Sequence, residues 1–240
     1  MPPIRIYRNW NTRDAYNVQI EPYKRYYFLC EGRKTEKLYF ESLIKNRKEL
    51  SIHSLIDIDY IERTENDVGI SKPEQLIKFA KKLKANKRIV FDKNIDKIII
   101  VFDADVLNSK SQDIINNIIA DGESDGSTII GLTNPAFELF LILHYESSYE
   151  NTILPNSEEI IKNDWVKKSE NKKERFILNL LKREYDIKSK SHSEIENLVH
   201  KINIAISQER KINSQIYECK DTITSNIGSI INQIITDDIG

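Results

Sequence analysis

Over the first 150 residues, apolar positions switch repeatedly between short β-type runs and a helical period. YKRYYFLC (23–30) is aromatic and apolar and stops at Glu31-Gly32, which predicts a strand feeding a tight turn. From Thr35, the spacing of Leu38, Tyr39, Phe40, Leu43 and Ile44 predicts an amphipathic helix. SLIDIDY (54–60) alternates as a second strand, with Asp57 and Asp59 on a solvated face, and 62–70 is a polar loop. Ser71 and Glu74 form a capping box ahead of Leu76, Ile77, Ala80 and Leu83, a second helix ending near Lys87. In DKIIIVFDADV (96–106) the β-branched run is too short for a membrane span and reads as a buried parallel strand over 97–102. Ser109 or Ser111 opens a short helix through Ile114, Ile115, Ile118 and Ile119, DGESDG (121–126) is a turn, and STIIGL (127–132) is a fourth strand. In TNPAFELFLILHYE, Asn134 is the expected N-cap and Pro135 the first helical residue of a helix apolar nearly all round, hence buried.

Beyond residue 150 the pattern is helical and charged, with no further strand signal. NSEEIIKNDW, ERFILNLLKREY, SEIENLVHKINIAI and ITSNIGSIINQII give four candidate helices, and Ser193 with Glu196 gives a second capping box. Four β/α units in succession specify an α/β fold: an open, Rossmann-like parallel sheet of about four strands flanked by helices, with right-handed crossovers. The expected organisation is an N-terminal arm (1–22), an α/β domain (23–148) and a helical C-terminal region (149–240) packed on it or appended to it. The arm carries Arg5, Arg8, Arg13, Trp10 and Tyr16, which suit phosphates and bases but equally an ordinary packed or frayed terminus.

Composition narrows the function. The 240 residues are 40% hydrophobic and 30% charged, enough for a substantial core. Lys and Arg (36) balance Asp and Glu (37), so a nucleic-acid partner would need a local basic patch or a second protein. Two unspaced cysteines, Cys30 and Cys219, make neither a disulfide framework nor a zinc site. No apolar stretch approaches the roughly 20 residues of a membrane helix, and MPPIRIYRNWN lacks a signal-peptide core, so a cytoplasmic protein is expected. No Gly-rich phosphate loop or nucleophile elbow is present.

The chemistry gathers at strand ends. The third strand delivers Asp103 and Asp105 together, pointing the same way if the chain stays extended. Two such carboxylates repel unless a proton or cation intervenes, and at the carboxyl end of a parallel strand Mg²⁺ or Mn²⁺ is a natural guest. The alternative is a loop whose aspartates cap the next helix or face water. Glu31 holds the equivalent place on the first strand. Glu36, on the first turn of the following helix, can reach the same crevice, although alone it reads as a carboxylate stabilised by the helix dipole. Glu138 lies in an apolar helix where a carboxylate is expensive unless paired or metal-bound. His144 lies about 240° further round that helix and reads as a hydrogen-bonded core residue. Three carboxylates around one or two divalent ions suit phosphoryl transfer.

The Glu31 position and the Asp103–Asp105 pair resemble the signature of the TOPRIM domain of topoisomerases, primases and OLD-type nucleases. CEGRKTEKLYF (30–40), VFDAD (101–105) and TNPAFELFLILHY (133–145), in that order, resemble the RloB-like family of prokaryotic defence proteins, with a looser likeness at DTITSNIGSII in the tail. The resemblance implies a Mg²⁺- or Mn²⁺-dependent TOPRIM nuclease cutting DNA or RNA, tRNA included. It would act in abortive antiphage defence beside an AAA- or ABC-type ATPase, with a homo-oligomer as a further candidate partner. By the same resemblance Glu31 is general acid/base or metal ligand, and Asp103 and Asp105 are the metal pair. Glu36 and Glu138 join the catalytic set, while Asn134 and His144 hold family motif positions. Val106 stands where such proteins often carry a polar residue, leaving one or two metals open. The competing reading is a non-catalytic regulatory or scaffold TOPRIM subunit that binds a partner or nucleotide. A primase-like nucleotidyltransferase would need further nucleotide-binding elements.

Overall fold

The computed structural model describes residues 22–63, 67, 69–70, 72–86, 88–107, 109–169, 172–187 and 192–237. The predicted arm and its arginines lie outside the described residues, apart from residue 22. The four predicted strands form as β1 (Lys24–Cys30), β2 (Ile56–Tyr60), β3 (Lys97–Asp103) and β4 (Thr128–Asn134). They lie parallel in the order β2-β1-β3-β4, with Cys30 opposite Val101 and Asp103 opposite Thr133. The intervening helices are α1 (Thr35–Lys45), α2 (Pro73–Ala85) and α3 (Gln112–Glu123).

β1, β3 and β4 are apolar on both faces because both faces are covered, whereas the edge strand β2 buries Ile56 and Ile58 on one face and leaves Asp59 exposed on the other. Tyr26, Phe28, Cys30, Ile99 and Val101 join one core, while Tyr27, Leu29, Ile98, Ile100 and Phe102 join the other beneath α2 and α3. The first core also takes α1, the short α4 (Glu138–Ile142) and the apolar sides of α6 (Phe176–Tyr185), α7 (His192–Leu198), α8 (Ile202–Glu209) and α9 (Ile227–Ile235). A short α5 (Ser157–Lys162) contributes Ile160 to the same core. Residues 149–237 therefore share the core of the α/β layer.

Three local expectations are corrected. First, strands do occur after residue 150. Trp165–Ser169 (β5) and Lys172–Arg175 (β6) form an antiparallel hairpin, and Thr224–Ser225 (β7) adds an antiparallel fifth strand beside β4. The hairpin is rich in lysine, which strand statistics disfavour, and two residues are too few to show a period. The ITSN segment is thus strand and cap rather than helix. Asn226 continues the ladder with its side chain, accepting from Leu132 N–H (2.8 Å) and donating to Ile130 C=O (2.8 Å).

Second, Asn134 caps no helix. It is the last residue of β4, its peptide bond to Pro135 is cis, and its amide donates to the carbonyls of Cys219 and Thr222 at 2.7 Å each. The helix after it is correspondingly short and begins at Glu138.

Third, the capping boxes differ. Ser71 lies outside the described residues, and α2 opens with Pro73 after Lys72, whose N–H donates to Gln75 Oε1 (3.2 Å). Ser193 stands inside α7, which begins at His192. At α3 the cap is Ser111, whose hydroxyl accepts from Ile114 N–H at 3.4 Å.

Among the described residues no helix is long and apolar enough to cross a membrane. His144 is the core residue expected of it. Fully buried, it meets Tyr39 Oη at 2.9 Å through Nε2 and Phe140 C=O at 2.9 Å through Nδ1. A carbonyl only accepts, so Nδ1 carries the proton. Burial holds the ring's pKa down at about 4, hence neutral.

Candidate functional site

In this strand order the chain leaves β1 toward one edge and returns through β3 on β1's other side. The switch point where ligands of open α/β sheets settle therefore falls at the carboxyl ends of β1 and β3. Glu31 follows β1 directly, its N–H continuing the ladder to Val101 C=O at 2.8 Å. Asp103 closes β3, and its Oδ1 accepts from the hydroxyl of Thr133, its register partner on β4, at 2.9 Å. The chain does not stay extended there. It folds into a 3-10 turn over Ala104–Leu107, so Asp105 leaves the strand plane and donates its N–H to Pro135 C=O at 3.2 Å.

Glu36 approaches from the first turn of α1 and is only 8% exposed. Its carboxylate accepts from its own N–H and from that of Gly32. A Cβ built on Gly32 would fall on that carboxyl group, so the glycine of the Glu-Gly turn is what lets Glu36 lie against the backbone. Glu138 enters from the first residue of α4.

These five carboxyl groups feel one another, and their environment does not match their charge. Burial is the leading cause in every case. It raises Glu31 from 4.5 to about 7, with Asp105 and Glu36 adding repulsion. Glu138 likewise rises to about 7, pushed further by Glu36 and Asp105. Asp103 is held well above the carboxylate range by burial and then by Glu36, Glu138 and Asp105, and Glu36 and Asp105 are also raised by burial. Glu31 accepts the Asp103 N–H, but its Oε2 is buried with no hydrogen-bond partner. Such an orphaned oxygen costs about 1–3 kcal/mol unless something meets it.

Nearby cations offset this only in part. Arg63 donates to the Glu31 and Ile70 carbonyls. Arg175 Nη2 lies 4.0 Å from Asp105 Oδ2. Lys182, which draws Glu138 down slightly, is itself bound to Glu174.

Glu31, Glu36, Asp103, Asp105 and Glu138 are thus brought into one crevice, whereas Asn134 and His144 serve the fold. Sequence reasoning missed Arg63, Thr133, Arg175 and Lys182. Arg63 had a signal, since it stands three residues past a strand end on the crevice side, and Thr133 lies within the TNPAFELF motif. Arg175 and Lys182 come from the C-terminal region and had none. Among the described residues no three His, Cys, Asp or Glu side chains stand as a ready-made metal-ligand group.

A family model described as RloB-like protein matches residues 26–236. The chain belongs to the RloB-like protein family. No curated protein and no solved structure matches it. The RloB-like match extends past α4 to α9, so it takes in the C-terminal region that supplies Arg175 and Lys182 as well as the strand-end motifs.

Proposed function

We propose that this RloB-like protein is a TOPRIM-type nuclease that hydrolyses phosphodiester bonds in DNA or RNA, tRNA included, with Mg²⁺ or Mn²⁺. Its setting would be abortive antiphage defence, alongside an AAA- or ABC-type ATPase in the cytoplasm. The observation that carries the reading is the gathering of five carboxyl groups with raised pKa values at the β1/β3 switch point, around the unpartnered Oε2 of Glu31. The donor set fits a hard divalent cation: it is all oxygen, and a cation would relieve both the repulsion and the orphaned atom. Glu31, Asp103 and Asp105 would hold it, their side chains turning onto it from positions that do not yet form a ligand group. When bound, such an ion polarises the phosphoryl group and lowers the pKa of water.

The chain's own groups supply the rest. Burial raises the Glu31 carboxyl to about 7 in the metal-free protein, and it would be drawn by a divalent ion into the ionised form that binds the ion. Glu138, raised to about 7 by burial and by Glu36 and Asp105 in the metal-free protein, would be the group able to exchange a proton with a leaving oxygen near neutral pH. Arg175, 4.0 Å from Asp105, would meet the backbone phosphate.

The test is phage challenge of cells expressing wild type, Glu31→Ala or Asp103→Ala with the neighbouring ATPase, scored for growth and for DNA and tRNA integrity. Loss of protection and of cleavage in both folded variants is the expected result. Full protection by both would leave the non-catalytic binding role.

A further inference from the structure

Beside the crevice, the outward face of the β5–β6 hairpin serves no evident structural purpose. Trp165 pairs with Arg175 and Lys167 with Lys173, so all four side chains share one face of the ribbon. The other face is fixed inward. Glu174, only 7% exposed, accepts from Asn179 (3.1 Å) and is bound by Lys182, both on α6.

What the outward face presents is unusual for a surface. Trp165 is 60% exposed, with the Arg175 guanidinium 4.7 Å over its ring. Lys167 and Lys173 are exposed, and among the described residues no carboxylate pairs with them. Two lysines directly opposite one another destabilise a two-stranded ribbon that is marginal to begin with. Arg175 ties this face to the crevice. It donates to Asn163 C=O at 3.1 Å, stacks on Trp165 and reaches within 4.0 Å of Asp105.

We infer that this hairpin is the platform on which the protein holds a single-stranded segment of its nucleic-acid substrate. A base stacks on Trp165, the backbone is tracked by Lys167 and Lys173, and Arg175 hands the next phosphate to the acidic crevice. The inference rests on the nuclease reading of that crevice and adds the substrate's form. The chain as a whole carries a net charge of −1, so phosphate attraction has to come from a local patch, and this one adjoins the acids. A single strand fits better than a duplex because an exposed indole needs an unstacked base, and stacking on it tolerates any sequence.

The experiment measures fluorescence anisotropy of labelled oligothymidylate, oligouridylate and a mixed-sequence duplex. The full chain carries Glu31→Gln, so that binding is read without cleavage. The expected result is preference for the single strands and a loss of roughly tenfold in affinity with Trp165→Ala, the size of one base–aromatic stack. A Lys167→Glu/Lys173→Glu variant should weaken binding and flatten the salt dependence by at least about 0.7 in log–log slope per lysine. Circular dichroism confirms that each variant is folded.

Affinity within twofold of the parent in both variants would overturn the inference, as would tighter binding of the duplex. Loss on charge reversal with no effect of Trp165→Ala would also overturn it, assigning the patch to an acidic partner surface. Hairpin-dependent binding with no cleavage by the unsubstituted chain together with its neighbouring ATPase would sink the nuclease reading and leave the binding platform standing. Cleavage that persists with undiminished affinity in both hairpin variants would do the reverse.

Discussion

The two rims of the parallel strands treat their carboxylates in opposite ways, whether buried like Asp96 or exposed like Asp125. At the amino-terminal rim, Asp96 is 2% exposed and accepts from Arg25 N–H (2.7 Å) and Asp92 N–H (2.8 Å). Asp125 there is bound by Lys84, which also reaches Ser127 Oγ (3.0 Å) and Thr128 Oγ1 (2.9 Å). Burial pushes Asp125 upward, but the bonds from Lys84 and Ser127 outweigh it and hold the group at about 2. At the carboxyl-terminal rim burial wins, and the acids stay raised. A carboxylate used to build the fold is given its donors by the chain. The crevice acids accept fewer bonds than their burial and mutual repulsion demand, and Glu31 Oε2 accepts none.

The sharpest way to break this contrast is to neutralise one acid on each rim. Asp103→Asn and Glu31→Gln should each lower Mn²⁺-supported cleavage of plasmid or tRNA by about a thousandfold, the several kcal/mol a held metal contributes. Asp125→Asn should leave cleavage unchanged in the same gel assay. Next in size is Gly32→Ala, which forces the Glu36 carboxyl off the turn. It should cost about 1–3 kcal/mol in denaturant unfolding and, by misplacing an acid, cleavage by up to about a hundredfold.

Stability itself should move in opposite directions at the two rims. Glu138→Gln relieves a buried, repelled carboxyl and should raise Tm by about 2–4 °C, whereas Lys84→Ala should lower it by a similar amount. Scanning calorimetry checks both. The smallest effect is the pH dependence of the metal-free protein. Glu31 and Glu138 are raised from 4.5 to about 7, so between those values the folded chain holds protons that the unfolded chain has released. Their contribution is full below about pH 4.5 and is lost as pH rises through about 7. Thermal melts in chelator from pH 4.5 to 8 should show this decline, and Glu138→Gln should flatten it.

The layout of the sheet was legible because β1, β3 and β4 are apolar runs bounded by turns and β2 alternates as a half-solvated edge, so Ile98 to Val101 read as a strand without any tertiary information. The acids were legible for a related reason: Glu31 and Asp103 close apolar runs, and Glu138 is a charge within an apolar segment. The arrangement around Asp105 was only half legible, since the period-two argument holds for a strand and the 3-10 turn ends it. Other features depended on distant partners. Asn134 looks like a cap until the carbonyls of Cys219 and Thr222, some 85 residues away, claim its amide. Likewise α9 takes its N-terminal acceptor from Glu209, a carboxylate on α8 that accepts from Gly228 and Ser229 N–H. The β5–β6 hairpin was invisible because its lysines contradict strand statistics, and its register with Arg175 appears only once the ribbon pairs.

The most direct test of the account is Mn²⁺ binding followed by electron paramagnetic resonance near pH 7.5, on wild type, Glu31→Gln, Asp103→Asn and Asp125→Asn. The account predicts that wild type and Asp125→Asn remove the free-ion signal alike. Glu31→Gln and Asp103→Asn should each weaken binding by about tenfold or more, on the order of 1.4 kcal/mol for each tenfold step. No binding by wild type, or binding unchanged in both crevice variants, would contradict it.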